Sequence, residues 1–293
     1  MKRRALLESS LSVAAAGIVS TSSLSKSENR TQDGGGVLSV FDTNVSLFRW
    51  PFRRLPLDET EALVRRLREL GVARALAGSF EGVLHRDCGA VNRRLAEECA
   101  RFSELLPVGT IDPGRPGWES DLEECAGELG MRAIRLFPNY HGYALGDRRF
   151  HALLERAATA GLLVQVAVAL EDTRTQHRLV AVPDVDLGPL PEAVGRVPGV
   201  LVQVLNDRPR GAYPEALLDE SRISFDVARV DGTDGVARLR DMVGWERVLF
   251  GSHAPFLIPE AALIRTVHES GLAEHELRCI VGGNAERLLF DKA

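Results

Sequence analysis

Asp42, Asn44 and Ser46 alternate in the stretch FDTNVS, and similar polar alternation recurs wherever a short apolar run ends. Thr110 and Asp112 share a face, as do Arg135, Phe137 and Asn139, with Tyr140 and His141 following at once in NYHGY. Gln165, Ala167, Ala169 and Glu171 make the small or polar side of LLVQVAVALE; Asn206 ends VLVQVLN. Ser224 and Asp226 alternate in RISFDVA, and RVLFGS runs into Ser252 and His253. These side chains can move protons and hold anions. Imidazole titrates near neutrality, a guanidinium pairs bidentately with a carboxylate, and amides donate to a developing oxyanion. A single polar residue at a strand end is ordinarily a cap or turn former. Agreement among so many strands describes a face built to hold something polar.

The elements that would position them are legible from period-two alternation and helical amphipathicity. Strands are expected at 37–44, 72–79, 104–111, 132–139, 162–170, 200–206, 222–228 and 247–252, with helices such as 58–70, 89–102 and 148–161 between them. Asp58 with Glu61 suits a helix N-cap, and Gly71 and Gly161 stand where left-handed C-caps belong. Eight strands alternating with helices over residues 37–293 predict an α/β chain folded as a single-domain (β/α)8 TIM barrel. An open doubly wound sheet is the alternative, but no glycine-rich turn follows the first strand. In a barrel all strand ends converge on one face, where active sites of this fold sit. The connection 171–199, which contains His177, has a helical pattern only in PLPEAVGRV and suits a lid, a binding loop or a tolerated insertion. The aromatic segment LFRWPFRRL (47–55) is expected to cover the barrel mouth, to form an interface or simply to pack.

Bulk properties narrow the partners. A net charge of −5 without a basic run beyond the N-terminus argues against nucleic acid. No 18-residue apolar stretch predicts stable membrane insertion. Residues 1–36 read as a twin-arginine-like signal (Arg3-Arg4, then Leu6-Leu7) and a disordered linker, which predicts export; a cytoplasmic location follows if that segment is only a tail. Cys88, Cys99, Cys125 and Cys279 have no C-x-x-C spacing and fit small buried hydrophobes.

The chain resembles the amidohydrolase-related family of metal-dependent hydrolases and decarboxylases. The likeness rests on FDTNVS, on GMRAIRLFPNYHGYALGDRRFHALLERAATAGLLVQVAV, on RVLFGSHAPF and on GLAEHELRCIVGGNAERLL, whose Asn284 is expected to cap the last helix. The resemblance implies a (β/α)8 barrel with a metal at its mouth. Carried over position by position, the metal ligands fall on Asn44, Ser46, Ala167, Asn206 and His253, of which only His253 is a good donor. No cofactor is therefore expected, with a relocated divalent metal among His141, His177, His253, Asp42 and Glu171 left open.

Two functions follow as expectations. One is a hydrolase or lyase acting without the usual metal on a small polar substrate that carries a carboxylate or lactone. Its catalytic groups would be His253, Asp42 and His141, with Asn44, Arg135, Asn139, Tyr140, Glu171, His177, Asn206 and Asp226 binding substrate. The other is a catalytically inactive barrel that binds a small molecule. The oligomeric state stays open, a homo-oligomer included.

Overall fold

The computed structural model describes residues 38–209, 211–232 and 234–291; the expected export signal and linker lie outside them. Eight parallel strands pair in chain order. They are β1 (Val40–Leu47), β2 (Val72–Ser79), β3 (Leu105–Thr110), β4 (Ala133–Leu136), β5 (Leu163–Ala167), β6 (Leu201–Leu205), β7 (Ile223–Asp226) and β8 (Val248–Leu249). The ring closes where the Thr43 and Ser46 N–H groups donate to Phe250 O and Ala254 O, both at 2.9 Å. The fold is the expected (β/α)8 barrel.

Helices cover the outside in alternation. They are α1 (Thr60–Glu69), α2 (Cys88–Cys99), α3 (Trp118–Ala126), the short α4 (Pro138–His141), α5 (Arg148–Ala160), α6 (Leu190–Gly195), α7 (Glu215–Asp219), α8 (Gly235–Val243), α9 (Pro259–Val267), α10 (Glu274–Arg278) and α11 (Asn284–Phe290). Val164, Val166 and Val168 face the helical layer, as their alternation with Gln165 and Ala167 requires, and pack with Leu153, Leu154 and Ala157 of α5 in the main core. Among the described residues, no helix is long and apolar enough to cross a membrane.

The barrel interior is layered. At the bottom Phe41, Leu76, Val108, Ala133, Leu163 and Leu249 pack against Ala285 and Leu289 of α11. Above them lies a polar layer from β1, β4, β5 and β6. At the top Trp50, Leu55, Phe80, Val83, Phe137, Ala167 and Leu170 form a separate apolar cluster. The aromatic segment therefore packs over the mouth.

Several local expectations shift. Gly71 (φ 77°) and Gly161 (φ 66°) take the left-handed conformation foreseen for them. Asp58 does not cap α1, because its carboxylate accepts from Arg54 and from the Leu55 N–H, and the helix starts at Thr60. Asn284 is not a cap either: the backbone stays helical through a π turn at Cys279–Gly283, so its amide is free to donate to Trp245 O and Val248 O. That amide ties the last helix to the β8 approach. All four cysteines are free, and burial pushes the Cys88 thiol up to about 11.

Gly282 in the π turn lies where an added Cβ would meet Ser39 O at 2.5 Å. Backbone on both sides leaves little room to yield, so Gly282→Ala is expected to cost about 1–3 kcal/mol. Chemical denaturation checks this; an unchanged midpoint would show that the β1–α11 junction is loosely packed.

Candidate functional site

The mouth begins with an irregularity in β1. Its register against β2 shifts between Asp42 and Val45, a bulge that interrupts strict alternation. Thr43 therefore joins its neighbours in facing the interior: its Oγ1 accepts from Gln203 Nε2 at 2.7 Å and donates to Phe250 O at 2.8 Å. Gln165 and Gln203 stand directly opposite one another on β5 and β6, and Gln165 Nε2 bridges to Gln203 Oε1 and Thr43 O, both at 2.8 Å.

Arg135 of β4 occupies the centre of this layer. Its Nε donates to Gln165 Oε1 at 2.9 Å, and its Nη1 donates to Val45 O at 3.0 Å and Ser46 Oγ at 3.3 Å. Gly78 on β2 makes the room, since a Cβ there would stand 2.9 Å from Nη1. Burial lowers the Arg135 pKa to about 10, opposed by the charges of Asp226 and Asp42. The hydrogen bonds of this guanidinium go to neutral oxygens of the barrel wall. The nearby carboxylates Asp112 and Glu171 pair with Arg115 and Arg53.

A second polar tier sits at the strand ends. Asn44 Nδ2 donates to Asn206 Oδ1 at 2.7 Å and to Asp226 Oδ2 at 2.6 Å, joining β1, β6 and β7. The Asn206 N–H donates to Asp226 Oδ1 at 2.9 Å. Asp42 Oδ1 accepts from the N–H groups of Asn44 and Ser252, each at 3.0 Å. Burial pushes Asp226 up to about 7 and Asp42 up to about 6, against hydrogen bonds that pull both down. His253 Nε2 donates to Leu170 O at 2.8 Å, which leaves Nδ1 as the basic nitrogen. Desolvation drops that imidazole to about 4, so the ring is neutral at neutral pH.

The remaining predicted site residues lie above or beside these tiers. Asn139 Nδ2 donates to Pro183 O at 2.9 Å and pins the connection after β5. Tyr140 packs edge-on to Trp50, and its buried Oη has no hydrogen-bond partner. His141 Nε2 donates to Gly82 O at 3.1 Å, with burial lowering its pKa. Glu171 pairs with Arg53; burial raises its pKa while Arg53 and Trp50 pull it down. His177 stacks on Phe52 at 5.0 Å from an exposed position. Ala167 belongs to the apolar cluster above. The structure thus brings Asp42, Asn44, Asn206 and Asp226 into one hydrogen-bonded unit. His253, bonded to Leu170 O, and His141, bonded to Gly82 O, have no hydrogen bond to it.

Sequence reasoning did not single out Thr43 or Gln203. The signal for Gln203 was the pair of V-Q-V triplets at 164–166 and 202–204 on adjacent strands. Trp50 packs against Phe52, Phe80, Tyr140 and Phe256, with ring centroids 5.4, 5.7, 6.4 and 5.3 Å away. Four non-glycine residues among those described have positive φ: Phe48 (66°), Leu57 (99°), Asn206 (61°) and His253 (56°). Two flank the aromatic segment and two end barrel strands, so backbone strain is concentrated at the mouth.

The amidohydrolase family profile matches residues 51–186 and 190–290. The structure is similar to 5-carboxyvanillate decarboxylase from Sphingomonas paucimobilis, with TM-score 0.69 and 14% identity over 86% of this chain and 99% of that one. It is similar to 2,6-dihydroxybenzoate decarboxylase from Rhizobium, with TM-score 0.64 and 14% identity over 85% and 98%. A dihydroxybenzoic acid decarboxylase from Polaromonas sp. JS666, solved with manganese and 2-nitroresorcinol, gives TM-score 0.66 and 14% identity over 88% and 98%. No curated protein matches in sequence. Among the described residues, no group of three or more His, Cys, Asp and Glu side chains is placed to hold a metal ion.

The raised carboxyls and the lowered imidazole set opposite pH slopes. Asp42 and Asp226 contribute full stability below the unfolded aspartate pKa of about 3.9. That contribution is lost as pH rises through about 6 and about 7. The His253 contribution is present above the unfolded histidine value of about 6.5 and is lost as pH falls towards about 4. Above about pH 6.5 only the carboxyl slope remains, so Asp226→Asn is expected to flatten the fall in unfolding free energy up to about pH 8. Urea titrations across that range measure it; an unaltered slope would contradict the protonated Asp226.

Proposed function

The chain belongs to the amidohydrolase family, and on that footing we propose that it is a binding member of it, a barrel that holds a small organic acid or lactone without metal-assisted chemistry. The observation that carries this reading is the Asn44 amide. Its two N–H bonds draw β1, β6 and β7 together across the place where the resemblance puts a metal. The donors there do not fit a divalent cation. Asn44 presents nitrogen donors to its neighbours, Ser46 is engaged by a guanidinium, Ala167 has no donor atom, and His253 commits Nε2 to a carbonyl. Arg135 already supplies a buried positive charge to this interior.

A polar group remains for a ligand. Tyr140 Oη is buried without a hydrogen-bond partner among the described residues, and such an atom gains most from a polar guest. The named neighbours process or bind aromatic carboxylates or their analogues, which supports an organic acid as the ligand class. Thermal-shift screening of sugar acids, lactones and aromatic acids tests the proposal. At least one compound should raise the melting temperature, equally with manganese or a chelator present, and should be recovered unchanged. Product formed from the stabilising compound would overturn it.

One observation favours a second reading, a metal-independent hydrolase or lyase. Phe48 and Leu57 hold strained backbone at both ends of the aromatic segment, which suits hinges of a lid. With the segment lifted, Asp226 could exchange a proton near neutrality and His253 Nδ1 could accept one. The Arg53–Glu171 pair is the latch in this reading. Glu171→Gln would then raise acrylamide quenching of Trp50, measured with Trp118 and Trp245 replaced by Phe. Unchanged quenching would count against a lid.

A further inference from the structure

Beside the mouth, but separate from its polar tiers, a groove of about 720 Å³ runs between the connections that follow β6, β7 and β8 and the outer face of α9. One wall is apolar and faces solvent. Leu257, Ile258 and Ile264 are 38%, 64% and 48% exposed, three of the five large exposed hydrophobic residues described, and Ala261 continues the same surface. Apolar surface gathered in a concave place marks a ligand site more often than chance exposure does.

The opposite wall carries Arg229. It is 6% exposed, its Nη1 is buried without a partner, and no ion pair or hydrogen bond engages it among the described residues. A buried charge without a counter-charge is costly, so this guanidinium is the strongest unmet demand in the region. The other arginines of the groove are already committed. Arg208 pairs with Asp172 at 3.0 Å, and Arg265 donates to Val230 O at 2.6 Å and Ala228 O at 3.1 Å while facing Asp231 at 3.8 Å. Asp231 and Glu269 add negative charge at the exposed rim. With Arg208 and Arg265 engaged, Arg229 is the one guanidinium of the groove left to be paired, and a single fork suits a monoanion better than a phosphate dianion.

We propose that this groove binds an amphipathic monocarboxylate, its carboxylate forked on Arg229 and its aliphatic or aryl body laid along Leu257, Ile258, Ala261 and Ile264. A planar guanidinium matches a carboxylate bidentately, and the volume lies within the range of small-molecule sites. The site gives a carboxylate a place distinct from the barrel mouth and stands whether or not the mouth turns over a substrate. Phe256 is common to both: it lines the groove and packs on His253 at 5.1 Å and Trp50 at 5.3 Å.

The test is calorimetric titration of the full chain with decanoate and 4-butylbenzoate, using 1-decanol and decyltrimethylammonium as charge controls. Saturable one-to-one binding of the acids is expected, with the controls at least tenfold weaker. Arg229→Gln should weaken acid binding roughly tenfold to hundredfold, the worth of a charge-assisted hydrogen bond. Ile258→Asp alters only an exposed wall, so it tests the same groove without disturbing the fold; it should also abolish saturable binding. Acid binding that survives both substitutions, equal binding of decanol, or self-association that buries the groove without taking up acid would overturn the proposal. Turnover at the mouth is measured separately and bears only on the function of the barrel interior.

Discussion

The interior of this barrel is organised around a buried guanidinium. Arg135 reaches from β4 into the centre of the ring and is met by the Gln165 side chain, the Ser46 hydroxyl and backbone oxygen of β1. Burying such a charge is costly unless its hydrogen bonds are made. The two glutamines, the Thr43 bulge and the bare face of Gly78 are the parts that make them. The carboxyls of Asp42 and Asp226 then sit within the field of a fixed cation yet remain raised by desolvation, so the tier above holds protons close to neutrality.

That arrangement accounts for the closed mouth. A divalent ion draws carboxylates and imidazoles around itself, whereas the strand ends here are joined by amide-to-amide and amide-to-carboxylate bonds through Asn44. The aromatic segment covers them, with Trp50 at its centre and positive-φ residues at both edges. Apolar cover over a polar tier strengthens each bond beneath it, while the strained ends keep the cover from being an ordinary piece of core. The groove beside it shares Phe256 with the cover.

Much of this was legible before the fold. Period-two alternation placed Gln165, Asp226 and the outward valines correctly, and Gly71 and Gly161 marked helix ends, because those features are set by local geometry. The bulge at Thr43 was not legible, since it arises from β1 closing against the β8 segment some two hundred residues away. Neither the commitment of Arg135 to neutral oxygens nor that of Asp58 to Arg54 could be read, because a charged residue does not announce which neighbour it will meet. His141 and His177 drew notice for their chemistry, yet one is anchored to Gly82 and the other lies on Phe52 at the surface. Arg229 carried no pattern at all and becomes visible only through burial without a partner.

The most direct test of the account is a titration of the purified chain with manganese at neutral pH, followed by electron paramagnetic resonance. If Arg135 and the Asn44 bridge occupy the interior as described, added manganese should retain the full spectrum of the free aquo ion. Stoichiometric loss of that signal, reversed by a chelator, would contradict the account.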